Sequence, residues 1–348
     1  MKNRNILLIV ILLFLSGSSL AQQSTSKASQ SRLDVKISPV FDLYYLLRKH
    51  AASDSTPESN IAGFAEAINA TRQLQKDFGG AITPIWSLLD ANLVKCKNTS
   101  DAVQLFSRLP ETIKFRGKEH PVREGAVRMA KAMHTIEAQF LKSEWGQHKK
   151  MIKNAASNIT KTLKPKEKDC IAYITKHLNL PEPQEPLSIY LVTESPSPGA
   201  FTYFLKGGGQ LIVIDISNKG SLLYESVLHE VIHTLEGMPD GDTITESVEK
   251  KSVFAELRQH LQEAGVSERD IDFAEHLLVF AQAAATVKHI IDPQHKPYGE
   301  VKTVYARLSY ITPFVVPIWN KYLEGKFSRE EALTQIVEGI TKKEREKQ

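Results

Sequence analysis

A short segment between Ser226 and Leu235 constrains this chain more than any other feature. It reads Ser226-Val-Leu-His-Glu-Val-Ile-His-Thr-Leu235, and neither glycine nor proline interrupts it. Its apolar residues predict a helix that is mostly buried. Burying two imidazoles and a carboxylate without partners would cost several kcal/mol. The fold must therefore supply a partner for these three polar side chains.

The spacing of the three polar residues predicts a metal site. His229 and His233 are four residues apart, so a helix places them on one face, one turn apart. Two imidazoles in this arrangement can share a zinc ion at about 2.0–2.1 Å. Zinc lowers the pKa of a bound water toward about 7, and Glu230 can then take the proton and pass it to a leaving amine. We expect zinc as cofactor, His229 and His233 as ligands, and Glu230 as the general base and acid.

The pattern of the chain changes at the proline-rich stretch between Pro181 and Pro186. Residues 39–186 have helical spacing of their apolar side chains, which predicts a helical N-terminal region. After this stretch, three short runs rich in aromatic and β-branched residues predict strands at Leu187–Val192, Phe201–Leu205 and Leu211–Ile216. Predicted helices follow at Leu222–Leu235, Glu246–Gln262, Glu268–Ile290, Gly299–Leu323 and Ser328–Lys342. The sequence predicts an α+β fold that is predominantly helical, with a catalytic domain at residues 187–343.

The N-terminus has the pattern of a secretory signal peptide. Lys2 and Arg4 precede an apolar run, and small residues lead to Ala21. We therefore predict a signal peptide at residues 1–21, a flexible lead at residues 22–38, and export to the periplasm or the medium. The loss of Lys2 and Arg4 would lower the net charge from +4 to about +2.

Charge and hydropathy narrow the classes of partner. No dense basic stripe interleaved with aromatic residues occurs, so we expect no nucleic acid as partner. Beyond the N-terminal segment no run is long and apolar enough for a membrane helix, so we expect no membrane attachment after cleavage. The oligomeric state is left open.

Cys96 and Cys170 could pair in an oxidising compartment or remain two separate buried thiols.

The segment around His229 resembles the active helix of the zincin superfamily of metallopeptidases. The resemblance covers the C-terminal part of the chain and excludes the helical N-terminal region. It implies a zincin-like domain in which Leu211–Ile216 is the strand that aligns the substrate. It also implies a peptidase that acts on peptides or proteins. Hydrolysis of a non-peptide amide or ester is an alternative, and so is a binding protein on the same scaffold, although the intact Glu230 argues against the latter.

A catalytic zinc site needs a third protein ligand. The extended metzincin motif is absent, because Glu236 and Pro239 stand where that motif has glycine and histidine. The gluzincin spacing is also absent, because Ser252 and Val253 stand where a glutamate would be expected. The third ligand must therefore come from elsewhere.

Glu275 and His276 form an isolated polar pair in an apolar predicted helix, and such a pair needs partners. Either can be the third ligand, and Glu246, Glu249 and Glu256 remain alternatives. The chain also resembles an uncharacterised group of exported HExxH proteins, through His276–Phe280, Pro297-Tyr298 and Trp319–Gly325. That resemblance favours His276 as the ligand. In several zincins a tyrosine or histidine stabilises the developing oxyanion, and we assign this role to Tyr298, with Tyr305 and Tyr310 as competitors.

Overall fold

The computed structural model describes residues 33–53, 59–78, 82–115, 117–183, 186–196, 200–204, 210–236, 252–297 and 310–346. The protein is mostly helical with a small mixed sheet, which confirms the predicted α+β, predominantly helical class. The helices of the N-terminal half are α1 (Pro39–Ala51), α2 (Phe64–Phe78), α3 (Ile82–Leu93), α4 (Thr99–Phe106), α5 (Arg123–Ser143), α6 (Trp145–Asn158) and α7 (Glu167–Leu178). The helices of the C-terminal half are α8 (Ser221–Glu236), α9 (Val253–Glu263), α10 (Glu268–Thr286), α11 (Thr312–Leu323) and α12 (Arg329–Arg345).

In the part of the chain that the structure describes, the main sheet has four strands: β1 (Leu33–Lys36), β4 (Leu187–Val192), β5 (Ala200–Phe204) and β6 (Gln210–Asp215). Their order in the sheet is β1-β4-β6-β5. β1 and β6 run parallel to β4, whereas β5 runs antiparallel to β6. A separate hairpin joins β2 (Thr112–Phe115) to β3 (Lys118–Pro121). The three strands predicted after residue 186 are therefore present, shifted by no more than one residue at each end.

The main sheet separates two hydrophobic clusters. Alternation along β4 and β6 directs Ile189 and Ile212 to one face and Val192 and Val213 to the other. The first face packs against α8, α10 and the later helices, and the second packs against α1, α2 and α5. The sheet is thus covered on both faces, and the helix that carries the two histidines lies on the first face.

The N-terminal predictions need three corrections. Residues 33–36 of the predicted flexible lead form β1, which pairs with β4. Residues 112–115 and 118–121 of the predicted helical region form the strands β2 and β3, which pair with each other. Residues of α6 and α7 belong to the same cluster as α8 and α10, so the boundary at residue 186 does not divide the two clusters. The pairing of β1 with β4 and the shared cluster depend on contacts over long sequence separations, which local periodicity does not report.

Side-chain caps define where several helices begin. Ser267 accepts a hydrogen bond from the backbone N–H of Asp270 and starts α10, and Ser252 does the same for α9. Part of the helix predicted at Glu246–Gln262 and part of that at Gly299–Leu323 lie outside the described residues, as does the predicted signal peptide. Among the helices that the structure describes, none has both the length and the apolar character needed to cross a membrane.

Candidate metal centre

The centre is built on α8, which packs against β5 and β6. His229 is buried and His233 is half-buried on the same face of this helix. Their Nε2 atoms are 3.1 Å apart. Two nitrogen ligands at tetrahedral positions around zinc would be about 3.4 Å apart, given bond lengths of about 2.0–2.1 Å. The two histidines therefore face a common point with the separation that a shared ion requires.

The third imidazole comes from α10, which packs against α8. The His276 ring centroid lies 4.9 Å from that of His229 and 5.0 Å from that of His233. One ligand atom from each of the three histidines lies within 4.8 Å of the other two. His276 is exposed, so the cluster opens to solvent on its side. This three-histidine cluster could hold a metal ion.

Burial controls the protonation of the two histidines on α8. It lowers the pKa of His229 well below its ordinary value, and the positive charges that His233 and His276 would carry lower it further. Burial, followed by the charge on His276, lowers the pKa of His233 to about 3. Both rings are therefore neutral at physiological pH. A neutral imidazole has the free nitrogen lone pair that binds a metal ion.

Glu230 lies beside the cluster and contacts the sheet. Its Oε1 is 3.9 Å from His229 Nε2, and its Oε2 accepts a hydrogen bond of 2.7 Å from the Thr202 hydroxyl on β5. Both residues are buried. The hydrogen bond from Thr202 therefore holds the Glu230 carboxylate next to the point that the histidines face. Thr202 was missed in the sequence, because a single threonine in a short strand is not a recognisable signal.

The contacts of Glu275 and Glu256 distinguish these candidates for the third metal ligand from His276. Both oxygens of Glu275 accept hydrogen bonds from Arg258, at 2.9 Å from Nε and 2.6 Å from Nη2. Adjacent residues on a helix project about 100° apart, so His276 joins the cluster while Glu275 is directed toward α9. Glu256 forms an ion pair with Arg329. Glu246 and Glu249 lie outside the described residues.

An aromatic side chain closes one side of the cluster. The Phe280 ring centroid lies 4.2 Å from that of His229 and 5.1 Å from that of His276. Phe280 is one turn after His276 on α10, so the two side chains share a face of that helix. An apolar ring against two imidazoles limits the approach of water from that side.

The role assigned to Tyr298 stays a prediction. Tyr298 and Tyr305 lie outside the described residues. Tyr310 donates a hydrogen bond to Asp270 at the start of α10. Tyr310 is therefore engaged in anchoring the first turn of α10.

The proposed substrate-aligning strand needs a correction. Leu211–Ile216 corresponds to β6, and β6 pairs with β4 on one side and with β5 on the other. A strand that is paired along both edges has no free backbone groups for a substrate. Within the described part of the chain, β5 is paired along one edge only. β5 also carries Thr202, so it is the strand that reaches the site.

The two cysteines are separate. Cys96 and Cys170 are both buried free thiols, and they belong to different hydrophobic clusters. Burial raises the pKa of Cys96 to about 11 and that of Cys170 to about 12. Of the two alternatives, the structure has the separate buried thiols, and neither thiol lies in the metal centre.

Comparisons of the chain with models of known protein families, with curated proteins and with solved structures give no match.

Proposed function

We propose that this protein is an exported, zinc-dependent hydrolase that cleaves peptide bonds. One observation carries the proposal: His229, His233 and His276 converge on one point, with the Glu230 carboxylate 3.9 Å from His229 Nε2. The basic and apolar N-terminal segment supports export. The three histidines and the glutamate together are the donor set and the base of a hydrolytic zinc site.

The donor set fits zinc. Three neutral imidazoles with one open side leave a position for water or substrate, as catalytic zinc sites do. Imidazole nitrogens suit zinc better than calcium or magnesium, which prefer oxygen ligands. A bound zinc ion would polarise the scissile carbonyl and make a coordinated water more acidic.

The chain's own residues would carry the proton. Glu230 would accept a proton from the attacking water and deliver it to the nitrogen of the leaving amine. Thr202 supports this role because its hydroxyl holds one carboxylate oxygen in place. Phe280 would help to keep other water molecules away from the reacting atoms.

A peptide is the substrate that the position of β5 favours. The edge of β5 away from β6 has no strand partner within the described residues, and Thr202 links β5 to Glu230. An extended peptide could pair with this edge through backbone hydrogen bonds. Such pairing would bring a peptide bond next to Glu230, whereas a small ester or amide would gain nothing from the strand edge.

The proposal is tested with the purified chain lacking residues 1–21. We expect the zinc-loaded protein to cleave members of a fluorogenic peptide library, to lose this activity in a chelator, and to regain it when zinc is restored. Small amide and ester substrates serve as the comparison. Hydrolysis of esters without any peptide cleavage would contradict the substrate class, and equal peptide cleavage in the chelator would contradict the zinc mechanism.

A further inference from the structure

A buried carboxylate–histidine pair lies one helical turn before the metal centre. Glu225 on α8 and His295, in the turn that follows α10, have side chains that are 2% and 0% exposed. His295 Nε2 is 2.7 Å from Glu225 Oε2. Neither residue belongs to the HExxH motif or to the three-histidine cluster. A carboxylate is costly to bury, so its place here needs a reason.

The helix geometry links this pair to His229. Glu225 precedes His229 by four residues, so the two side chains share one face of α8. Side chains on a helix lean toward its N-terminus, and the His229 ring therefore leans toward Glu225. The Glu225 carboxylate has about four acceptor positions, so it can accept from His295 and from a second donor together.

His229 has a nitrogen that requires such an acceptor. Its Nε2 faces His233, whereas its Nδ1 is buried and has no hydrogen-bond partner among the described residues. When Nε2 binds a metal ion, Nδ1 must carry the proton. A buried N–H without an acceptor costs about 1–3 kcal/mol. Histidine ligands normally donate this N–H to a carboxylate or a carbonyl.

The other carboxylates of α8, and Glu275 on α10, are directed elsewhere. Glu230 contacts Thr202, and Glu275 is held by Arg258. Glu236 lies beyond His233 at the C-terminal end of α8, away from the direction in which the His229 ring leans. Glu225 is therefore the carboxylate of α8 that is placed to accept a hydrogen bond from His229 Nδ1.

His295 is itself fixed by backbone hydrogen bonds. Its N–H donates to the Asp292 carbonyl at 2.9 Å, and the Asp292 N–H donates to the Val287 carbonyl at 2.8 Å. Val287 begins a π-helical turn, Val287–Ile291, that continues α10. The turn thus holds the His295 ring on the carboxylate.

We propose that Glu225, held in place by His295, is the positioning residue that accepts the Nδ1–H of His229 when a metal ion binds. This inference depends on the proposed zinc site. It adds a role for two residues that the HExxH motif does not include.

The test measures zinc binding by competition with a chromophoric chelator, independently of hydrolysis. We expect Glu225→Ala to weaken zinc binding about 10- to 100-fold. Glu225→Gln keeps an acceptor oxygen and should retain most of the affinity. Glu167→Ala is the matched control, because Glu167 is also a buried helical glutamate but lies on α7. It should leave zinc affinity unchanged.

A spectroscopic measurement completes the test. In zinc-loaded protein with ¹⁵N-labelled histidine, the Nδ1–H proton of His229 should resonate downfield, as expected for a hydrogen bond to a carboxylate, and should shift upfield in Glu225→Ala. Wild-type zinc affinity together with an unchanged His229 signal in Glu225→Ala would overturn the inference while leaving the proposed function intact. If the wild-type protein binds no zinc, both fail together.

Discussion

The surroundings of each side chain at the centre of the proposed site suit that side chain to one role. His229 and His233 are kept neutral by burial, and Glu230 is held by Thr202. His276 is the exposed member of the cluster, on the side where a substrate would enter. Because these residues have different roles, substitutions can measure proton transfer and metal binding separately.

Glu230→Gln isolates proton transfer from metal binding. Glutamine keeps the shape of the side chain but cannot accept the proton from water. We expect full zinc content and hydrolysis that is at least about 10²-fold slower, within the usual range for the loss of general acid–base catalysis. Metal analysis and initial rates on the same sample measure both properties. A wild-type rate in this variant would show that Glu230 is not the base.

The adjacent residues Glu275 and His276 provide a matched pair for the third ligand. His276→Ala removes an imidazole from the cluster and should sharply lower zinc retention during dialysis against a weak chelator. Glu275→Gln alters a side chain that contacts Arg258, so zinc affinity should stay within about twofold of the wild type, less than the loss expected for a carboxylate that supports a ligand. The reverse result would transfer the ligand role to Glu275.

At the scale of elements, close packing between helices and polar contacts between helices and the sheet hold the fold around α8 together. α11 and α12 pack against each other at Gly339, and α11 packs against α10, which carries His276. On the opposite side, α1 and α6 meet the end of β4 through Asp42, His148 and Thr193. Both contacts lie outside the metal centre and can be tested by stability measurements.

Gly339→Ala tests the helix crossing. A Cβ at this position would lie 2.5 Å from Cδ1 of Phe314, so the two helices would have to separate. We expect a loss of about 1–3 kcal/mol in the free energy of unfolding, from overpacking. Gly146→Ala in α6 is the control, because nothing lies within 4 Å of that Cβ. It should stabilise the protein by up to about 1 kcal/mol through helix propensity. Urea unfolding compares both, and equal effects would contradict the argument.

The pair of Asp42 and His148 predicts a pH dependence of stability. Asp42 is fully buried, and its Oδ2 is 2.6 Å from His148 Nδ1. Burial by itself lowers the pKa of His148, but the hydrogen bond and the charge of Asp42 raise it by more, so the folded pKa lies above its ordinary value. The protonated form is therefore stabilised by folding. Its contribution is complete below the unfolded pKa of about 6.5 and is lost as the pH rises through the folded pKa.

His148→Gln measures this contribution. We expect the variant to be less stable than the wild type by about 1–2 kcal/mol near pH 5.5, since a hydrogen bond to a charged group is lost. The difference should shrink toward pH 8. His134→Gln, at a side chain that is 57% exposed, is the control and should change stability by less than about 0.5 kcal/mol at either pH. A difference that grows with pH would contradict the sign of the shift.

At the scale of the whole molecule, the proposed ligands join two helices of one core. His229 and His233 lie on α8, and His276 lies on α10, 43 positions beyond His233 in the chain. Both helices belong to the cluster that covers the first face of the sheet. An ion bound to all three histidines would therefore stabilise the folded chain as a whole.

Zinc should accordingly raise the stability of the protein. For an ion that binds only the folded state, the gain is about 2.7 kcal/mol at a concentration a hundred times the Kd. We expect thermal unfolding to move to higher temperature as zinc is added, and His233→Ala to remove the shift. Magnesium, which prefers oxygen ligands, is the control ion. A zinc-dependent shift that persists in His233→Ala would place the binding elsewhere.

Local sequence determined the strands after residue 186, the helix that carries His229 and His233, and the first part of the site. The i, i+4 spacing of His229 and His233 depends only on the geometry of one helix, and the β-branched runs before it predict strands whatever surrounds them. The burial of α8 also follows from its own apolar residues. These features could be predicted because every residue involved lies within a few positions of the others.

Tertiary structure decided the rest. Thr202 meets Glu230 across 28 positions, and His295 meets Glu225 across 70. The choice between Glu275 and His276 depended on Arg258 in another helix, and the choice between β5 and β6 as the strand beside the site depended on how β6 is paired. No local pattern reports such contacts, because they are set by the packing of whole elements around the core.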